Sequence, residues 1–119
     1  VLVVEDNPLN QFVALKQLTA LGFSGTAVSS GYEAVDAIAT ERYDCILMDC
    51  GLPDMDGYET TRVIRNLEQR SERKRVPIIA VTVDSAEDAF DRCIGAGMDG
   101  HLAKPTSIAD LRDILARLL

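Results

Sequence analysis

The sequence holds no tryptophan, six other aromatic residues and a single histidine, His101. Its three cysteines, Cys45, Cys50 and Cys93, are odd in number and lack the paired spacing of a disulfide framework or a zinc site. A reduced, cytoplasmic compartment is the expected setting. Positive charge is also scarce: 12 Lys+Arg stand against 19 Asp+Glu, a net charge of -7. Binding driven by phosphate-backbone electrostatics would start from the wrong sign, so nucleic acid is set aside as a direct partner. No apolar run approaches the roughly 18 residues of a membrane span, and no signal peptide is recognisable, so direct membrane contact is set aside too. G-x-S-x-G, H-E-x-x-H and Walker-type motifs are missing, which excludes the commonest hydrolase, zinc-protease and nucleotidase designs. Linkers, repeats and low-complexity tracts are missing as well. The 119 residues therefore read as one domain, 1–119, against a prior of about 150 residues per domain. The chain opens at Val1, without Met and already inside an apolar run, and is expected to be a piece of a longer protein.

What is present is an alternation. Val1-Leu-Val-Val4 is a short β-branched run, stopped by Glu5-Asp6-Asn7-Pro8, where Asn7 can cap a helix and Pro8 suits its first turn. That helix is expected from about Leu9 to Leu21, burying Leu9, Phe12, Val13, Leu18 and Leu21, with Gly22 as its left-handed stop. A strand follows near Thr26 to Val28. Ser30 and Glu33 have capping-box spacing and open a helix with Ala34, Val35 and Ile38 inward. Cys45 to Met48 is a continuous apolar strand ending at Asp49. Asp56 and Glu59 open the next helix, which fades into the charged stretch Arg70 to Arg75. Pro77 to Thr82 is the fourth strand; Ser85 is expected to cap a helix with Ala86, Ala89, Phe90, Cys93 and Ile94 on one face. His101-Leu-Ala103 is a short fifth strand closed by Lys104-Pro105, and the last helix places Ile108, Leu111, Leu115 and Leu118 inward. Five strands alternating with five helices predict an α/β fold with a parallel sheet, helices on both faces and right-handed crossovers. Sites in such sheets lie beyond the carboxyl ends of the strands.

Three segments imitate motifs they do not complete. Gly95-Ala-Gly97-Met-Asp-Gly100 spells G-x-G-x-x-G but follows a helix and precedes a strand, the reverse of a dinucleotide fingerprint, and reads as a helix stop and tight turn. Asp54-Met-Asp56-Gly57 resembles part of a calcium loop, yet Leu52 and Val63 stand where ligands are needed. Arg70, Arg73, Lys74 and Arg75 read as a solvated loop.

The strand ends carry the chemistry. In order they present Glu5-Asp6, Asp49, Thr82 and Lys104: three carboxylates, a hydroxyl and an ammonium on one rim. Singly, each has a plain structural explanation as a cap or a surface residue. Together the carboxylates repel unless a cation binds them, and Lys104 alone cannot neutralise three. An all-oxygen set with few protein ligands suits Mg²⁺, held by Asp6 and Asp49 with positions left for a phosphoryl oxygen. Asp49 is then the nucleophile, and Thr82 and Lys104 each take an oxygen of the transferred group. The reaction class is phosphoryl transfer to Asp49.

With these residues in place, the chain resembles a response-regulator receiver domain along essentially its whole length. Val1 to Asn7, Ile46 to Asp49, Pro53-x-Met-Asp-Gly57, Pro77-Ile-Ile-Ala-x-Thr82 and Lys104-Pro105 match the family's markers in order and spacing. The resemblance implies a flavodoxin-like, doubly wound, five-stranded sheet in order 2-1-3-4-5. It implies a two-component phosphorelay in which Asp49 accepts phosphate from the phosphohistidine of a histidine kinase or histidine phosphotransfer domain and is later dephosphorylated by self-catalysis. It implies Mg²⁺, with Mn²⁺ as an alternative, held by Glu5, Asp6, Asp49 and the Gly51 carbonyl, Glu5 acting through water. A cis Lys104-Pro105 bond belongs to the same pattern. So does a switch in which Thr82 moves inward and the residue three before the lysine, here His101, follows. Val83 stands where a small residue is usual, with bulk that could restrict access to Asp49; Gly51 and Asp84 occupy positions that tune phosphoryl lifetime. Leu47 to Glu59 and Gly97 to Pro105 look most like receivers attached to hybrid sensor histidine kinases. A weak homodimer through the fourth helix, fifth strand and fifth helix is compatible with the family.

Two other readings stand beside this one. A pseudo-receiver scaffold would keep the fold and lose a rim residue, whereas all are present. A small aspartyl-phosphate phosphatase would need D-x-D after the first strand, where the chain has Asp6-Asn7-Pro8.

Overall fold

Hydrogen-bonding side chains open most of the helices where the sequence places them. Asn7 Oδ1 accepts the amides of Leu9 (2.9 Å) and Asn10 (3.2 Å), satisfying donors that the first turn leaves unpaired. Ser30 does the same for Glu33 at 3.1 Å, Asp56 for Glu59 at 2.8 Å and Ser107 for Asp110 at 3.1 Å. The computed structural model describes residues 1–83 and 87–119, of which 87–89 by backbone alone. Its elements run β1 (Leu2–Val4), α1 (Pro8–Ala20), β2 (Thr26–Val28), α2 (Gly31–Thr40), β3 (Ile46–Asp49), α3 (Gly57–Arg70), β4 (Ile78–Thr82), α4 (Glu87–Ala96), β5 (Gly100–Ala103) and α5 (Ile108–Leu118). The proposed Ser85 cap, Asp84 and Ala86 lie outside the described residues, as does the Ala89 side chain.

The strands form one parallel sheet in the order β2-β1-β3-β4-β5, with Leu2 beside Ile46, Ile46 beside Ile78 and Ile79 beside Gly100. Consecutive strand residues point to opposite faces, and each face carries its own core. Leu2, Val4, Ile46, Met48, Ile78 and Ala80 pack under α2, α3 and α4; Val3, Leu47, Ile79 and Leu102 pack under α1 and α5 with Leu18, Leu111, Ile114 and Leu115. Near-continuous apolar strands are what a sheet covered on both sides requires.

Several expected helix faces are corrected. Leu9, Phe12 and Val13 are 68%, 57% and 45% exposed, and Leu18 is the buried residue of α1. At this end α1 does not close on the sheet, and Val13 shares the lining of a gap with Val3 and Leu47. On α4, Phe90 and Ile94 face outward while Cys93 and Ala96 are buried, and on α5 Ile114 rather than Ile108 completes the core. The basic stretch is not merely solvated: Arg73 bonds the carbonyls of Ile38 and Ala39, and Arg75 pairs with Asp99 at 2.8 Å.

That pairing belongs to a network at the amino ends of the strands. Arg65 donates to Glu68 (2.8 Å), Asp99 (2.7 Å) and the Val76 and Gly97 carbonyls, while Glu68 and Asp99 accept the amides of Val76 and Ile78. It fastens α3 to the start of β4 and to the turn that enters β5. Glycine matters at two contrasting places. Gly22 (φ +89°) ends α1 in the left-handed region, and a Cβ on Gly57 would lie 2.5 Å from the Asp49 carbonyl oxygen. Because that neighbour is backbone and cannot yield, Gly57→Ala should cost about 1–3 kcal/mol in urea unfolding; unchanged stability would show that α3 can stand off from β3.

Candidate functional site

Four strand ends converge on one rim. β1 delivers Glu5 and Asp6, β3 ends in Asp49, β4 in Thr82, and Lys104 follows β5. A cavity of about 490 Å³ opens over them, with Glu5, Asp6, Asp49, Gly51, Thr82 and Lys104 among its lining. Glu5, Asp49 and Thr82 are buried and Asp6 is exposed. Lys104 Nζ lies 3.1 Å from Asp49 Oδ1 and 3.2 Å from Glu5 Oε2, so one ammonium bridges two buried carboxylates. One carboxylate oxygen each of Glu5, Asp6 and Asp49 lies within 4.8 Å of the others, and this is the only such group of potential ligands among the described residues. The donor atoms are oxygens without imidazole or thiolate, the chemistry of a hard cation.

The surroundings distinguish the two buried acids. Burial, and then the hydrogen bond and charge of Asp49, push the Glu5 carboxyl above its ordinary range, outweighing Asn10 and Lys104. Burial acts on Asp49 in the same sense, but hydrogen bonds from Glu5, the Gly51 amide (3.0 Å) and Lys104 overcome it and hold Asp49 below the ordinary range. On acidification Glu5 therefore takes the proton first. Burial would lower the Lys104 ammonium, and contact with Asp49 and Glu5 more than reverses this, keeping it charged.

Supporting residues were missed by sequence reasoning. Asn10 Nδ2 donates to Glu5 Oε1 at 3.0 Å, and Gln11 Nε2 donates to the Glu5 carbonyl at 2.6 Å, so the first turns of α1 cradle Glu5 from both sides. The available signal was two amide side chains immediately inside a helix start. Arg92 lies over the Tyr58 ring, 4.3 Å from its centroid, and both line the cavity. Asp54 accepts the amides of Gly31 and Tyr32, which explains its acid without calcium. Val83 is 80% exposed at the rim, so its bulk is turned largely to solvent. His101 sits half-buried on β5 opposite Ala80, apart from the described lining of the cavity. The Lys104–Pro105 bond is cis.

A doubly wound parallel sheet in this order, with a carboxylate–lysine cluster at its carboxyl edge, defines a flavodoxin-like α/β domain with its site at the topological switch. The model of the response regulator receiver domain matches residues 1–116, and the chain belongs to that family. It is 33% identical to probable histidine kinase 1 of Oryza sativa subsp. indica, covering 100% of this chain and 15% of that protein. It is 36% identical to hybrid signal transduction histidine kinase A of Dictyostelium discoideum, covering 98% of this chain and 5% of that protein. The chain thus spans a small part of these relatives. Among solved structures it is similar to the receiver domain of sensor histidine kinase PA1611 from Pseudomonas aeruginosa PAO1, which has magnesium coordinated in its active-site cleft. That similarity has 47% identity and a TM-score of 0.87, over 98% of this chain and 93% of that one. The receiver domain of Saccharomyces cerevisiae Ssk1, crystallised with the phosphotransfer protein Ypd1, gives 27% identity and a TM-score of 0.90 over 98% and 86%. No helix among the described residues is long and apolar enough to cross a membrane.

Two outcomes follow from the electrostatics. Because Glu5 is raised in the folded state, its contribution to stability is fully present below the ordinary glutamate pKa and is lost as pH climbs through the raised value. In chelator, Glu5→Gln should therefore flatten the fall in melting temperature as pH rises above the ordinary glutamate range; a slope equal to that of the native chain would mean that Glu5 carries no such penalty. Burial also pushes the Cys50 thiol up to about 11 and Cys45 to about 12. Alkylation of both at pH 8 should be about a hundredfold or more slower in the native chain than in urea, and rapid native labelling would contradict the packing.

Proposed function

We propose that the chain accepts a phosphoryl group on Asp49 in a His–Asp phosphorelay, as the receiver segment of a longer hybrid sensor kinase. The observation that carries this reading is Lys104, whose ammonium touches both Asp49 and Glu5 while Asp6 completes the carboxylate trio. In the transfer, the P–N bond of a phosphohistidine breaks, its electron pair stays with the imidazole, and a P–O bond forms to an Asp49 carboxylate oxygen. Lys104 holds a positive charge beside that oxygen, and Thr82 offers its hydroxyl to a phosphoryl oxygen. Glu5, Asp6, Asp49 and the Gly51 carbonyl would hold Mg²⁺, with Mn²⁺ as the alternative ion. Its chemistry there is to neutralise repulsion between carboxylate and phosphoryl group. Water later cleaves the acyl phosphate and restores Asp49. Thr82 on β4 and His101 on neighbouring β5 form the switch that reports the phosphorylated state.

The donor is a histidine kinase or a histidine phosphotransfer domain. The Ssk1 receiver solved with Ypd1 supports this class of partner, and so do the exposed Leu9, Phe12 and Val13, an apolar strip of α1 beside the site. Exposed Phe90, Ile94 and Ile108 leave apolar surface on α4 and α5 for a weak homodimer through the α4–β5–α5 face. The reading places the domain in the cytoplasm and gives it no direct role on nucleic acid or membrane, in keeping with its net charge of -7.

Intact mass after incubation with acetyl phosphate tests the reading. One Mg²⁺-dependent phosphoryl adduct, absent from Asp49→Asn, is expected. No adduct in the native chain would favour a scaffold, and steady turnover of small phosphoesters a phosphatase. Phe12→Ser should slow transfer from a phosphohistidine donor protein about tenfold, the size of one interface anchor, and leave acetyl phosphate labelling unchanged; equal slowing of both would remove α1 as the docking strip.

A further inference from the structure

A second cavity, of about 350 Å³, lies on the α1–α5 side of the sheet. Its walls are apolar: Val3, Leu47 and Leu102 from three strands, Val13 and Ala14 from α1, and Leu111 from α5. Its polar lining includes Glu5, Asp49 and Lys104, which also line the cavity over the rim. At its side Gln17 Nε2 donates to the Thr106 carbonyl at 2.9 Å, strapping α1 to the loop before α5. The space remains because α1 offers only a methyl group at Ala14 and turns Leu9 and Phe12 outward. It is open to solvent along part of its lining, where Val13 and Val83 are exposed. The cavity is roughly twice the volume of the ~150 Å³ apolar cavity that stays dry and takes up benzene, and it falls in the size range of small-molecule pockets.

We infer that this cavity binds a compact, uncharged hydrophobe about the size of two fused aromatic rings. Two carboxylates against one ammonium leave the polar lining acidic, which disfavours an anion. The deep walls offer no partner to a cation, whose burial there would be costly. A neutral ring system with one N–H donor fits both parts, its rings among Val13, Leu102 and Leu111 and its donor toward the carboxylates. Such an occupant abuts Asp49 and Lys104, which line both cavities, from the α1–α5 side of the sheet, so the site is placed to tune the phosphoacceptor. The inference does not depend on Asp49 being phosphorylated.

Indole and indole-3-acetate are the probes. In a methyl NMR titration of the whole chain, indole should shift the Val13, Ala14, Leu102 and Leu111 resonances saturably, and indole-3-acetate should bind roughly tenfold more weakly or less. Ala14→Leu, or the more adaptable Ala14→Met, should fill the space and abolish the indole shifts while acetyl phosphate still labels Asp49. Absence of saturable shifts, equal binding of the anion, or shifts undiminished in a folded filling variant would each overturn the inference. Movement of the same resonances only with rising protein concentration would overturn it too, and would give the cavity to a second copy of the chain.

Discussion

Everything at the carboxyl edge depends on one crowded contact, the Lys104 ammonium between the carboxylates of Glu5 and Asp49. Two buried acids cannot both ionise cheaply around one base, and the structure divides the burden unequally: Glu5 is raised and Asp49 lowered. The acid kept ionised is the one proposed as nucleophile. Asp6, exposed at the same rim, adds a third negative charge that Lys104 has no capacity to match. A cation would relieve that repulsion, and the similar PA1611 receiver has magnesium coordinated in its active-site cleft.

The rest of the fold serves to hold that contact in place. Strand residues bury both faces, so β1, β3, β4 and β5 cannot slide without turning a core side chain toward the wrong layer. At the opposite edge, Arg65, Glu68, Arg75 and Asp99 pin the beginning of β4 to the turn entering β5. Thr82 and Lys104 then emerge side by side, with the Lys104 amide bonded to the Thr82 carbonyl at 2.9 Å. Gly57 lets α3 start against the backbone of Asp49, closing the turn that carries Gly51.

The rim was legible in the sequence because a strand's end is marked to within a residue by the change from apolar to polar, and each rim residue sits at such a change. Helix starts were legible from capping and the parallel character of the sheet from alternation, whereas the strand order came only with the resemblance to the receiver family. What was not legible is what lies beyond a helix face. Periodicity groups Leu9, Phe12 and Val13 together, but does not say that this end of α1 fails to close on the sheet. The same blindness reversed Phe90 and Ile94 on α4. Arg65 and Asp99 are 34 positions apart, and no local pattern announces their pairing. Asn10 and Gln11 looked like ordinary polar helix residues until Glu5 was seen between them.

If the carboxylates of Glu5, Asp6 and Asp49 form one site whose mutual repulsion a divalent cation relieves, Mg²⁺ should stabilise the folded chain. The most direct test is the melting temperature of the chain during a Mg²⁺ titration from chelator to millimolar concentration, set against Asp6→Asn. Selective binding to the folded state contributes about 2.7 kcal/mol when the ion reaches a hundred times its dissociation constant. A saturable rise is expected in the native chain and a much weaker one in the variant. A melting temperature indifferent to Mg²⁺, or a rise identical in both, would contradict such a site.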